Sequence, residues 1–242
     1  MLKGIYYSAY GLNYLSNKQD VLANNMANVN TSGFKKQGIF ARQLAELENQ
    51  RQNMPRWEDR KLEEVTITNY DEGNFRMTEN PLDIAIKGDG FFTLQTFSGL
   101  AYTRNGSFKI NPDGILVNDQ NQPVLGENGV IVLEGNEVAI GEDGQVVVDG
   151  NFVDRLRIVD FEKPYRLSRI GDSLLKEKEP FSVQKQSSAK LVQGCVEDSN
   201  VKVVEEMVDM LETFRHFESG QKVITATDET LDQLINQVGR LT

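Results

Sequence analysis

Asp83 and Asp89 flank the apolar run Ile84-Ala85-Ile86, six positions apart. Side chains repeat every two residues along a strand, so both carboxylates can share one face. That is the arrangement a two-carboxylate carbohydrate hydrolase needs. With 36 acidic residues in the chain, some such pair arises in any fold. A turn Asp at 89 and a strand-end Asp at 83 explain the same positions without chemistry. His216 is the only histidine, and no G-x-S-x-G elbow accompanies it. Standing beside Phe217, it reads as a flank contact. Cys195 is the only cysteine, which excludes an internal disulfide and a CxxC site, and reads as a small packing residue. The Asp-Gly and Asn-Gly pairs invite a calcium reading. However, no D-x-D-x-D-G loop with a distal Glu and no nonapeptide repeat occurs. Gly88-Asp89-Gly90 is followed by neither G-x-G-x-x-G nor a Walker pattern. The residues therefore point to a non-enzymatic protein, with no catalytic set, no cofactor and no metal site.

Composition narrows the partners. The chain has 242 residues and a net charge of −10. No basic stripe is available to neutralise phosphates, which disfavours nucleic acid and an anionic membrane surface. No apolar run reaches membrane-spanning length, so direct membrane insertion is not expected. The start, Met1-Leu2-Lys3-Gly4-Ile5-Tyr6-Tyr7, lacks an uninterrupted apolar core and a small-residue cleavage site. A cleaved signal peptide is not expected, while another export route stays open.

The elements that would position any site are two long helices and a β region. From Asn200 to Leu241 apolar residues recur at alternating spacings of four and three. They are Val203, Met207, Met210, Phe214, Phe217, Ile224, Leu231, Ile235 and Val238, interrupted at Gln221 and Asp228. This is a heptad seam. Asp198, Ser199 and Asn200 are N-cap candidates, and Glu205 and Glu206 lie near the start, where the helix dipole favours anions. The seam keeps its phase across Gly220, predicting one continuous helix of about 63 Å. A compact globule of this size is only about 45 Å across. Such a helix must protrude, pair with another long helix or pack into an assembly. Residues 2 to about 30 carry a matching seam of Ile5, Leu12, Leu15, Leu22, Met26 and Val29, with Ser8 and Gln19 in its two remaining positions. This stretch is the natural partner of the C-terminal helix.

From Val65 to Lys190 the period changes to two. Asp89-Gly90, Asn105-Gly106, Asp113-Gly114, Asn128-Gly129, Asp143-Gly144 and Asp149-Gly150 punctuate short strands. Such pairs are strong hairpin signals, because type I′ turns need positive φ. Val146-Val147-Val148 and Leu156-Arg157-Ile158-Val159 read as further strands. Residues 164–180 read as a loop over the sheet, and 187–199 as the return to the helices. The charged stretch 41–70 reads as an exposed connector, with a short helix from Leu44 and Leu47 that Pro55 stops. Trp57 within it is a candidate contact anchor, toward a neighbouring subunit or the β domain.

The run Ala23-Asn24-Asn25-Met26-Ala27-Asn28-Val29-Asn30-Thr31-Ser32-Gly33-Phe34-Lys35 resembles the N-terminal signature of the bacterial flagellar rod and hook proteins. Ile86-Lys87-Gly88-Asp89-Gly90-Phe91-Phe92-Thr93-Leu94-Gln95 and Tyr102-Thr103-Arg104-Asn105-Gly106-Ser107-Phe108 are similar to that family's central β region. Gln193-Gly194-Cys195-Val196-Glu197-Asp198-Ser199-Asn200-Val201 resembles its lead-in to the C-terminal helix. The resemblance implies an α+β fold, with the terminal helices paired as a coiled-coil-like rod and an antiparallel β domain inserted between them. The expected division is a helical segment 1–36, a variable connector 37–80, a β domain 81–186, and a C-terminal helical segment 187–242. It further implies a structural subunit of the basal-body rod, which crosses the periplasm. The subunit would polymerise with itself and other rod proteins into a tube that transmits torque and encloses the export channel. It would travel through the flagellar type III export apparatus without signal-peptide cleavage. Size and the single β domain look most like the rod protein between the proximal and distal segments, with the distal rod protein as runner-up. Two other classes compete: the hydrolase above, and a secreted binding or adhesion module with coiled-coil ends. The latter would use Phe91, Phe92, Phe97, Tyr102 and Phe108 as an aromatic platform.

Overall fold

The structure, a computed structural model, describes residues 2–43, 62–135, 137–171, 173–178, 184–187 and 189–238. The expected helix before Pro55, and Trp57, lie outside these residues. In chain order the elements are α1 (Leu2–Ala27), β1 (Gln37–Gln43), β2 (Leu62–Thr68), β3 (Phe75–Met77), β4 (Ile84–Lys87), β5 (Phe91–Thr96), β6 (Gly99–Thr103), β7 (Lys109–Ile110), β8 (Leu116–Val117) and β9 (Val138–Ile140). Then follow β10 (Gln145–Val148), β11 (Asn151–Arg155), β12 (Ile158–Phe161), β13 (Leu167–Gly171), β14 (Leu174–Glu177), β15 (Gln184–Gln186), β16 (Lys190–Gln193), β17 (Cys195–Glu197) and α2 (Val203–Val238). The fold is α+β. The chain divides into two compact units, one of Met1–Ala27, Lys36–Asn69 and Lys202–Thr242, the other of Asn28–Lys35 and Tyr70–Val201.

The first unit is helical, with a β ribbon. α2 runs unbroken through Gly220 for 36 residues, about 54 Å at the helical rise. It starts after all three N-cap candidates, which belong to the other unit and make hydrogen bonds there. Asp198 N donates to Asn74 O, Ser199 Oγ accepts from Val201 N, and Asn200 Nδ2 donates to Asp71 O. α1 and α2 run antiparallel: Asn25 meets Glu206 near one end of α1, and Leu12 meets Gly220 further along. The stretch expected as a connector instead begins and ends in the antiparallel pair β1–β2, with Phe40 opposite Val65 and Gly38 opposite Ile67. Tyr14 Oη on α1 donates to Ile39 O of this ribbon.

The second unit is the β domain. Its largest sheet has six strands in the order β13-β14-β6-β5-β12-β15, and β11-β10-β9 form a second sheet. Ile84, Ile86, Phe92, Leu94, Leu116, Val124, Val146 and Leu156 belong to the main core, and Phe91, Tyr102, Val159 and Phe161 to a second one. Asp113-Gly114, Asn128-Gly129, Asp143-Gly144 and Asp149-Gly150 turn the chain between paired segments. Asp149 and Gly150 both have positive φ, 48° and 82°, as a two-residue type I′ turn requires. Two expectations differ here. Residues 167–177 form the hairpin β13–β14 rather than a loop, because Leu167, Leu174 and Leu175 bury on the sheet. Residues 190–197 are strands β16 and β17, pairing with β4 and β3, rather than part of a helical segment.

Candidate functional site

The signature segments meet at a buried charge cluster in the β-rich unit. Glu197, at the end of β17, has no exposed surface. Its carboxylate accepts from Lys35 Nζ at 2.5 Å and from Gly73 N at 2.9 Å, and lies 3.6 Å from Arg104 Nη1. Lys35 Nζ also donates to Asp71 O at 2.6 Å. Burial pulls the Lys35 ammonium below its ordinary pKa, against the opposing pull of Glu197. Arg104 donates to Ile86 O and Gly88 O at 3.2 and 2.7 Å, and its guanidinium lies over the Phe91 ring. Phe34 is buried with the Arg169 guanidinium 4.2 Å from its ring centre.

The path of the chain brings these groups together. Asn28 and Thr31 close a turn after α1. Gly33 then takes φ +67° and donates its N–H to Glu197 O at 2.7 Å. A Cβ on Gly33 would fall 2.2 Å from Asn105 N, so the loop lies directly on the Tyr102-to-Gly106 segment. Gly106 is as tightly held, since its added Cβ would meet Ile84 O at 1.6 Å. Asn200 N donates to Phe34 O. Gly88, Gly90 and Gly194 all adopt positive φ. Asn30 is exposed, whereas Thr31 and Ser199 are half-buried.

A second buried pair sits in the helical unit. Asn25 and Glu206 have no exposed surface. Asn25 Nδ2 donates to Glu206 Oε2 at 3.0 Å and to Gln37 O at 2.8 Å, and its Oδ1 accepts from Gln37 N at 2.9 Å. Lys36 Nζ completes the pair with Glu206 Oε1. The signature asparagine thus clamps β1 to α2, while Ala23 and Asn24, on the same helix, are exposed. Lys35 and Lys36, adjacent in the chain, thus serve different units. Sequence reasoning noted Glu206 only as an anion near the helix start, and singled out neither lysine nor Glu197. The only signal was their place within or beside the signature runs.

The helical seams divide unevenly. On α1, Leu22 is buried and Leu12, Leu15 and Met26 are half-buried, with Ser8 and Gln19 beside them. Val29 falls beyond the helix, in the turn that follows it. On α2, Met210, Phe217, Ile224 and Leu231 are half-buried, but Val203, Met207 and Phe214 are exposed. The side chains of Ile5, Ile235 and Val238 lie outside the described ones. The inward row is Glu206, Met210, Thr213, Phe217, Gly220, Ile224, Thr227 and Leu231. It keeps the four-three alternation but shifts every other position by one residue. Small residues at three of the four shifted positions, Thr213, Gly220 and Thr227, allow the shift. A Cβ on Gly220 would lie 2.8 Å from Leu12 Cδ2. The hydroxyls of Thr213 and Thr227 are satisfied within α2, donating to Asp209 O and Val223 O. The consequence is an outward apolar stripe of Val204, Met207, Val208, Leu211 and Phe214, between 47 % and 74 % exposed.

The residues considered for chemistry do not form a catalytic set. Asp83 is buried and accepts from Asn80 Nδ2 at 3.2 Å. Asp89 is exposed and receives Lys163 Nζ on both oxygens at 2.8 Å. That hydrogen bond holds its carboxyl below the ordinary range, whereas a general acid needs a raised pKa. Phe91, Phe92, Tyr102 and Phe108 are buried in the cores, and only Phe97 stands out at the β5–β6 turn. They offer no platform. Cys195 is buried. His216 is exposed on α2, so His216→Gln should leave assembly and motility within error of wild type. Complete loss of motility, with normal export and stability, would count against a structural role.

Comparison with known proteins matches the same segments. A family model described as "Flagella basal body rod protein" covers residues 5–35, one described as "Flagellar hook protein FlgE/F/G D1 domain" covers 85–148, and one described as "Flagellar basal body rod FlgEFG protein C-terminal" covers 192–237. The flagellar basal-body rod protein FlgG of Buchnera aphidicola subsp. Baizongia pistaciae is 33% identical over 263 residues, covering 97% of this chain and 99% of its own. FlgF of Caulobacter vibrioides is 31% identical over 232 residues, covering 94% of each chain. FlgG of Bacillus subtilis is 30% identical over 266 residues, covering 98% and 99%. With signature segments that converge on one buried cluster, and with relatives similar along nearly their whole length, this chain belongs to the flagellar basal-body rod protein family.

Proposed function

We propose that this chain is a structural subunit of the flagellar basal-body rod, polymerising through its terminal helices into a helical tube that transmits torque and encloses the export channel. The observation that carries the reading is the outward stripe on α2. Five large apolar side chains in one row are left in water while the opposite face of the same helix packs on α1. Burying each fully is worth roughly 1.5–3 kcal/mol, so a neighbouring subunit that covers the row supplies a strong drive to associate. The coiled-coil-like pairing of α1 and α2 then serves as the unit that neighbours add to. Neighbours are further copies and other rod proteins, and the route to the periplasmic rod is the flagellar type III export apparatus, without signal-peptide cleavage. Within the family, a position between the proximal and distal rod is supported by length. Alignments to FlgG relatives run over 256 to 266 columns against a chain of 242 residues, and those to FlgF relatives over 229 to 254, so the gaps opened against FlgF are the smaller.

Phe214→Asp tests the reading. Phe214 is 47 % exposed, so the monomer should keep its helical circular dichroism and its melting temperature, as surface changes do. In the assembly the new carboxylate would be desolvated without a partner. The protein concentration needed for assembly should rise at least about tenfold, the equivalent of 1.4 kcal/mol. Assembly at the wild-type concentration would defeat the proposal.

A further inference from the structure

The β1–β2 ribbon carries a second exposed apolar face in the same unit as α2. Residues opposite one another in an antiparallel pair share a face, so Phe40, Val65 and Ile67 stand together with Gly38. Phe40 and Ile67 are 59 % and 51 % exposed, while Ile39, on the other face, is half-buried. The Phe40 ring leans along Gly38, 3.7 Å from where a Cβ would sit. A two-stranded ribbon is marginal by itself and needs packing on its faces.

We propose that the outward stripe of α2 docks on the Phe40–Val65–Ile67 face of the ribbon in a second copy of this chain. The inference rests on the rod-subunit reading and names the partner surface for the stripe. Two observations choose this occupant over a second α2 stripe. Beside the stripe α2 carries Glu205, Asp209, Glu212 and Glu218 against Arg215, and Lys202 just before the helix pairs with Glu205. Two such helices laid side by side bring carboxylates together, and like charges across an interface disfavour the pair. The ribbon face is apolar at Gly38, Phe40, Val65 and Ile67 and runs on into the opposed pair Arg42 and Glu63, whose formal charges cancel, so it brings no excess of carboxylates. Symmetry gives the same answer. A stripe that meets itself makes an isologous pair and closes after two subunits. A stripe that meets a different patch makes a heterologous contact that repeats without closing, as a helical tube requires.

The test uses two full-length variants, each with a charge on one exposed face. Phe40→Asp spoils the ribbon and keeps the stripe. Leu211→Asp spoils the stripe and keeps the ribbon. Both positions are exposed, so circular dichroism and melting should match wild type. Sedimentation velocity is run at a concentration where wild type polymerises. Each variant alone should be monomeric there, with its assembly concentration raised at least about tenfold. An equal mixture should form a two-subunit species and stop, because one good stripe meets one good ribbon and the remaining faces are spoiled. Phe40→Asp polymerising like wild type, dimers of Phe40→Asp alone, or a mixture that stays monomeric would each overturn the docking. In all three cases wild-type polymerisation leaves the rod-subunit reading standing. If wild type itself does not self-associate at any concentration, both fail.

Discussion

Glu197→Gln is expected to lower the melting temperature of the β-rich unit by on the order of 10 °C. The carboxylate is fully buried and balances Lys35 at 2.5 Å and Arg104 at 3.6 Å. A glutamine of the same shape can still accept from Gly73 N, but it removes the only carboxylate that pairs with either cation among the described ion pairs. Breaking a buried pair by removing one partner costs about 3–5 kcal/mol, because the other charge stays buried and uncompensated. A domain has only 5–15 kcal/mol in total, and for a unit of this size each kcal/mol moves the midpoint by roughly 2–4 °C. The loss is charge imbalance rather than lost shape. Adding Lys35→Met to Glu197→Gln should therefore recover part of the midpoint, so that the double variant loses less than the sum of the two single changes, a sum that independent sites would reach. Arg104 remains supported in that double variant by Ile86 O, Gly88 O and the Phe91 face. A midpoint within 2 °C of wild type for Glu197→Gln, on this rough scale, would show that the cluster contributes little to stability.

Gly33→Ala is the second change with a large expected effect, several kcal/mol of destabilisation. Gly33 has φ +67°, where an L side chain costs roughly 1–2 kcal/mol. The added Cβ would also lie 2.2 Å from Asn105 N and 2.4 Å from the Arg104 carbonyl carbon. Those are backbone atoms and cannot rotate aside, so one of the two segments must move, and overpacking of this kind typically costs 1–3 kcal/mol more. Movement of the loop also breaks the Gly33 N–H bond to Glu197 O and displaces Lys35 two residues on. Gly220→Ala is the contrast. Its Cβ would touch the tip of the flexible Leu12 side chain at 2.8 Å, while replacing a mid-helix glycine with alanine gains about 0.8–1 kcal/mol of helix propensity. Urea midpoints of the two variants should therefore separate widely, with Gly33→Ala far below wild type and Gly220→Ala close to it. Equal midpoints would remove the argument that the signature glycine is required by its close approach to the Arg104–Asn105 backbone.

Local patterns carried much of the fold. The four-three spacing of apolar residues is enough to specify two long helices, because only a 3.6-residue period brings those positions onto one side. Asp-Gly and Asn-Gly pairs located four turns between paired segments, since few other residues accept the required φ. The runs around Asn25, Gly33, Gly88, Arg104 and Gly194 pointed to the family before any contact was known.

Spacing alone could not decide which side of α2 faces inward. Val203, Met207 and Phe214 are as apolar as core residues, and a seam built for a neighbour reads the same as one built for the chain itself. The choice fell to the smaller residues Thr213, Gly220 and Thr227, because the depth of helix approach depends on what lies opposite, here Leu12. The charge clusters were equally hidden. Glu197 and Glu206 are two acids among 36, separated from Lys35 and Lys36 by more than 160 positions. Burial makes such a pair decisive, since a charge that is screened in water must be matched once it is removed from water. Burial and matching are properties of the packed chain: the sequence determined the helices, the turns and the family, and the tertiary structure decided which face is left for a partner and which charges hold the signature segments together.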